Sequence, residues 1–143
     1  MWIIFALGAS IFWGITYALN EEIYKKISVS TYLAIASLFI FITTLFISYF
    51  SDTLKSDLLS IASSKRLLLY VGLGIVGLIA AELLIGSSIH AKNATLAGLI
   101  EISYPLFIAL FSYIFFKHSI TIPTIVGGVI IFAGIFVIYY FNH

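Results

Sequence analysis

Five apolar stretches, each long enough to cross a bilayer and separated by short polar breaks, confine this chain to one kind of fold. A hydrocarbon core about 30 Å thick is crossed by about 20 helical residues, and a helix satisfies its own backbone hydrogen bonds where no water can. The stretches run from Met1 to Leu19, Val29 to Phe50, Leu67 to Ile89, Leu96 to Phe116 and Ile120 to Phe141. Between them lie Asn20 to Ser28, Ser51 to Arg66, His90 to Thr95 and Lys117 to Ser119, none long enough for a soluble domain. Only 9% of the 143 residues are charged, against about 25% in a soluble domain. The expected fold is an all-α integral membrane protein, one transmembrane domain over residues 1–143 with five helices. The first stretch lacks a basic leader and a small-x-small cleavage site, so it reads as a mature helix.

Several chemistries are excluded early. The absence of cysteine removes disulfides, thiol catalysis and sulfur-ligated metals. A formal net charge of +1 gives no basic field for nucleic acid. Gly72, Gly74 and Gly77 match G-x-G-x-x-G, but inside an apolar span without a βαβ setting they read as helix-packing glycines rather than a dinucleotide loop. Asn93-Ala94-Thr95 is a glycosylation sequon in a turn too close to the membrane to serve. His90, His118 and His143 fall at span ends or the terminus without ligand spacing, so neither metal nor cofactor is expected. No nucleophile and base can be paired, which argues against an enzyme.

The seven Lys and Arg residues are nearly balanced across the membrane. Lys55, Lys65, Arg66 and Lys117 fall on one side, and Lys25, Lys26 and Lys92 on the other. Orientation follows an excess of Lys and Arg on the cytoplasmic side, and four against three leaves dual topology open. In the loop from Ser51 to Arg66, Leu54, Leu58, Leu59 and Ile61 recur at helical spacing, predicting a short helix lying in the interface.

Two carboxylates lie inside the apolar spans, Glu82 and Glu101. A charge at the bilayer centre costs roughly 2.5–3.5 kcal/mol even on the lenient insertion scale, so such residues mark cavities or partners. Ala94, Ala97, Gly98, Glu101, Pro105, Ala109 and Ser112 form a stripe of small or polar groups along the fourth span. Pro105 frees the carbonyl four residues back, which belongs to Glu101, so acceptors suited to a cation or proton gather there, next to Tyr104. Glu82 has a greasier face and reads as a structural acid or as the second acid of a relay. Ser10, Trp13 and Tyr17 share a face of the first span with Gly14, and Ser37 lies with Phe41, Thr44 and Ser48 on the second. These are the candidate cavity-lining residues, with aromatic faces able to hold an organic cation.

From Ser88 to Tyr140, NATLAGLIEISYPLFIALFSYIFF followed by PTIVGGVIIFAGIFVIYY resembles the end of an EamA-type repeat of the drug/metabolite transporter superfamily. The features that carry the likeness are Pro105-Leu106-Phe107, Gly127 and Gly134 one heptad apart, and Phe12-Trp13-Gly14 near the start. The resemblance covers essentially the whole chain. Members with two repeats have ten helices, whereas this sequence holds one repeat. Many also carry an arginine near the position of Ala36 or Ser37 and a glutamate where this chain has Tyr104; without that arginine the cavity is acidic, which favours cations. The resemblance implies a secondary transporter in a prokaryotic cytoplasmic (inner) membrane, moving a small cationic or amphipathic molecule or metabolite in exchange for protons at Glu101. A single repeat implies an inverted pair with the site between its halves, formed by an antiparallel homodimer or with a paralogous half-transporter. The alternatives are a non-transporting subunit of a larger complex, and a lipid flippase or metabolite exporter of the same fold.

Overall fold

The computed structural model describes residues 1–141, and every regular element among them is helical. In chain order these are α1 (Trp2–Ile23), α2 (Val29–Phe50), α3 (Leu54–Ser63), α4 (Lys65–Ala91), α5 (Ala94–Glu101), α6 (Tyr104–Phe116) and α7 (Ile122–Phe141). Five spans are long and apolar enough to cross a membrane: α1, α2, α4, the α5–α6 pair and α7. Local chemistry sets their starts. Ser28 and Ser64 accept hydrogen bonds from the Thr31 and Leu67 amides, and Asn93 Oδ1 accepts from Leu96 N at 2.8 Å, each satisfying an amide left free at a helix N-terminus. Pro123 falls in the first turn of α7, where its missing N–H costs nothing. At the end of α6, Lys117 adopts a left-handed conformation with φ of 58°, which stops the helix.

The boundaries differ from the sequence reading in two places that matter. First, α1 continues past Leu19 to Ile23, because nothing in Asn20-Glu21-Glu22-Ile23 breaks a helix and the residues beyond are anchored by packing. Asn20 is therefore a buried helical residue and not the start of a loop. Second, the fourth span is broken. After Glu101, Ile102 and Ser103 form a turn in which Ser103 N bonds Ile100 O at 3.2 Å, and α6 begins at Tyr104 with Pro105 in its first turn. The stretch from Ser51 to Arg66 does hold a short helix, α3. His143, set aside above as a ligand, lies outside the described residues.

The core gathers where α1, α2, α4 and α5 meet. Tyr24, Ile89, Ala94 and Ala97 are buried there, with Tyr17, Ile23, Val29, Tyr32 and Ile85 packed around them. Gly86 makes the α2–α4 approach possible, since a methyl group on it would collide with the Val29 and Tyr24 side chains. Gly128 likewise lies against Leu106 and brings α7 onto α6. Gly72, Gly74, Gly77, Gly127 and Gly134 face open space instead.

The accessible surface is 11433 Å², against about 7,300 Å² for a compact water-soluble monomer of this mass. The excess is apolar, with Leu, Ile, Phe and Val exposed along every span. Such a surface is stable against lipid or against another membrane protein, and not against water.

Candidate functional site

Helix α1 carries two adjacent faces that do different things. Positions 17 and 21 are one turn apart and look toward α5, whereas positions 12, 16 and 20 look toward α2 and α4. On the first face, the Tyr17 hydroxyl donates to Glu101 Oε2 at 2.6 Å. Gly98, one turn before Glu101, lies beside the Tyr17 ring, and a methyl group added there would rest in ordinary contact with that ring. One turn further along α1, Glu21 Oε2 accepts from the backbone amide of Ala94 at 2.7 Å. A carboxylate at this position satisfies a free amide and meets the positive end of the helix dipole. The eight-residue α5 is thus held to α1 at both its ends.

The second face borders a cavity of 680 Å³ between α1, α2 and α4. This is a typical size for a small-molecule site. Its walls are largely apolar, with Phe12, Trp13, Leu33 and Ile79 among them. The polar groups on it are few: Asn20 and Thr16 from α1, Ser30, Tyr32 and Ser37 from α2, and Glu82 from α4. Glu82 lies nine residues before the end of α4, about 14 Å along the helix axis, so it sits well inside the span. Ser37 donates to its own helix at Ala34 O. Asn20 is only 5% exposed, and its Oδ1 has no hydrogen-bond partner among the described residues. Tyr24, just beyond the end of α1, packs edge-on to Tyr32 at 5.7 Å. Burial holds its hydroxyl above the usual tyrosine range, an effect to which Tyr32 and Glu82 add, so the group is a neutral O–H.

Trp13 belongs to both faces. Its ring meets that of Tyr17 edge-on with centroids 5.6 Å apart, and it also lines the cavity. The structure therefore gathers Trp13, Tyr17 and Glu101 in one group, and Trp13, Ser37 and Glu82 around the cavity. The other candidates stand apart. Tyr104 and Pro105 open α6 and are exposed. Ser10 bonds back to Ala6 O on an exposed face, and Ser112 lies in the last turns of α6. Glu101 is not part of the cavity lining, whereas Glu82 is. Asn20 and Glu21 were missed because both follow the apolar run and read as loop. Their signal was the uninterrupted helical spacing from Trp13 through Thr16 to Asn20. Among the described residues, no three His, Asp or Glu side chains gather as a metal set.

The sequence model of the EamA-like transporter family matches residues 1–140, and the chain belongs to that family. Members are membrane transporters of the drug/metabolite type, and the five apolar spans make this chain an integral membrane protein. No curated protein and no solved structure gave a match.

Proposed function

We propose that this chain is half of a proton-coupled secondary transporter whose substrate, a small cationic or amphipathic molecule, binds in the cavity between α1, α2 and α4. The observation that carries the reading is a carboxylate, Glu82, on the wall of a largely apolar cavity inside the spans. A proton and a cation compete for such a group, and competition couples their movements without further machinery. Glu101 is the second carboxylate inside the spans. Its ionised form accepts a strong, charge-assisted bond from Tyr17, and its protonation weakens the hold of α5 on α1. Because α1 also walls the cavity, that loosening gives a route from proton to substrate. The broken α5–α6 span fits this role, since interrupted helices flank ion and substrate sites in transporters.

The working unit is an inverted pair of chains. The near-equal Lys and Arg count on the two sides supports it. Glycines on α4 and α7 that meet nothing within the protomer are suited to close helix contact with a second copy. A non-transporting subunit, the rival reading, has no use for an acid on a cavity wall.

The test is uptake into vesicles reconstituted with pure protein under an imposed pH gradient, using a panel of fluorescent organic cations. Gradient-dependent uptake that Glu82→Gln abolishes is the expected result. Uptake by no probe, together with no proton movement on adding any of them, would contradict it.

A further inference from the structure

We propose that the start of α4 and the end of α6 together form a binding site for an anionic phospholipid, with Arg66 and Lys117 holding the headgroup phosphate. Arg66 lies in the first turn of α4. Its Nε donates to the Tyr70 hydroxyl at 2.9 Å, and its guanidinium carbon stands 5.7 Å from the centre of the Tyr70 ring. That bond orients the planar group while its two Nη nitrogens stay without a partner among the described residues, and a guanidinium so presented suits the oxygens of a phosphate. Tyr70 in turn meets Phe116, the last residue of α6, edge-on with centroids 5.8 Å apart. Lys117 follows, and its left-handed backbone ends the helix while its Nζ stands 5.7 Å from the centre of the Tyr113 ring. A guanidinium and an ammonium therefore border one patch of partly exposed rings, Tyr70, Tyr113 and Phe116.

Among the described residues neither cation has a carboxylate partner, whereas at the opposite end of the bundle Lys25 is joined to Glu22. Lys55 and Lys65 lie on the same side as Arg66 and Lys117, so that four cations face two acids, Asp52 and Asp57. Depth decides the class of ligand. The rings lie one turn inside α4 and in the last turn of α6, the level at which aromatic side chains meet headgroups, and the two cations lie just outside them. Deeper along α4, Leu73 is 61% exposed and offers an acyl chain an apolar surface. A ligand with a phosphate at the level of the cations and hydrocarbon beneath it uses both parts, and a soluble anion uses only one. A zwitterionic lipid also brings a phosphate, but its own ammonium meets a surface already in excess of positive charge. A headgroup whose negative charge is not cancelled is preferred, by about fivefold for each nearby Lys or Arg.

Native mass spectrometry of the purified, delipidated protein, titrated with phosphatidylglycerol and phosphatidylcholine of identical acyl chains, reads that preference. The unaltered protein is expected to bind phosphatidylglycerol about fivefold or more tightly, and a large excess of inorganic phosphate should not displace it. Arg66→Gln combined with Lys117→Gln, two exposed positions outside the core, should bring the two lipids within about twofold. Tyr70→Phe leaves every charge in place and releases Arg66 from its hydrogen bond, so phosphatidylglycerol binding should fall about twofold or more. Lys25→Gln with Lys26→Gln, at the opposite end, should leave the preference intact. Equal binding of the two lipids, displacement by inorganic phosphate, a preference that survives either the Arg66 and Lys117 changes or Tyr70→Phe, or an equal loss from the Lys25 and Lys26 changes would overturn the proposal.

Discussion

Tyr17 and Glu101 are 84 positions apart in the chain and meet in a hydrogen bond of 2.6 Å between α1 and α5. The bond joins the helix that walls the cavity to the one that ends at the break before Pro105. Tyr17→Phe removes the hydroxyl and keeps the ring contact with Trp13. The expected cost is about 1.5–3 kcal/mol, the range for a hydrogen bond to a charged group, read as a lower unfolding temperature in detergent. Transport should slow several-fold. Unchanged stability and rate would mean that the pair does not hold α5 to α1.

Glu101→Gln keeps the shape and an acceptor for Tyr17 but cannot titrate. Proton-coupled transport should be lost while an organic cation still binds, since Glu101 lies off the cavity wall. Glu82→Gln should lose both, because it weakens binding directly. Calorimetry and vesicle uptake on the two variants separate these outcomes. A binding defect in Glu101→Gln equal to that in Glu82→Gln would show that both acids touch the ligand.

Glu21→Ala removes the carboxylate that accepts the Ala94 amide. A lost N-terminal cap costs about 1 kcal/mol, and α5 has only eight residues over which to absorb it. Thermal unfolding should shift down, and Glu21→Gln should restore most of the loss. Equal stability of all three proteins would show that water or lipid headgroups satisfy that amide as well as Glu21 does.

Gly86→Val forces β-carbon and methyl groups into the Val29 and Tyr24 side chains. The expected loss is about 1–3 kcal/mol, typical of overpacking. Gly127→Val meets open space in the protomer, so its effect, if any, should appear in association between chains. Pro105→Ala should rejoin α5 and α6 by restoring the amide that the Glu101 carbonyl lacks. The protein should then remain folded but turn over slowly.

Most of the frame was legible in the sequence. A run of about 20 apolar residues has few alternatives to a spanning helix, and Pro105 marked the fourth span as one with a free carbonyl at Glu101, though not the turn at Ile102 and Ser103. The short helix between α2 and α4 was visible in the spacing of Leu54, Leu58 and Ile61. The site was only half visible. Glu82 and Glu101 stand out because carboxylates are costly in lipid, but spacing along one helix does not reveal which neighbour it packs against. That Tyr17 meets Glu101, and that Glu82 rather than Glu101 lines the cavity, are decided by how α1 crosses α4 and α5. Asn20 was hidden for a related reason. A polar residue after an apolar run looks like a membrane boundary until the packing of Ile23 and Tyr24 extends the helix and buries it.

Charge placement offers a test of the pair. Adding two lysines beside Lys92 should push nearly all copies into one orientation. Activity should then fall, and return on co-expression with a copy biased the other way by lysines beside Lys117. Full activity of the singly biased protein would remove the inverted pair.

A secondary transporter opens its cavity to the two sides of the membrane in turn, and because the sequence has no cysteine a single introduced thiol can report that opening. A Ser37→Cys copy, locked in one orientation by added lysines and paired with an oppositely locked partner, carries a single thiol on the cavity wall. It is treated with a membrane-impermeant maleimide from each side, with and without an imposed pH gradient. Labelling is expected from both sides, with the favoured side shifting as the gradient is reversed. Labelling from one side alone, at a rate indifferent to the gradient, would contradict it.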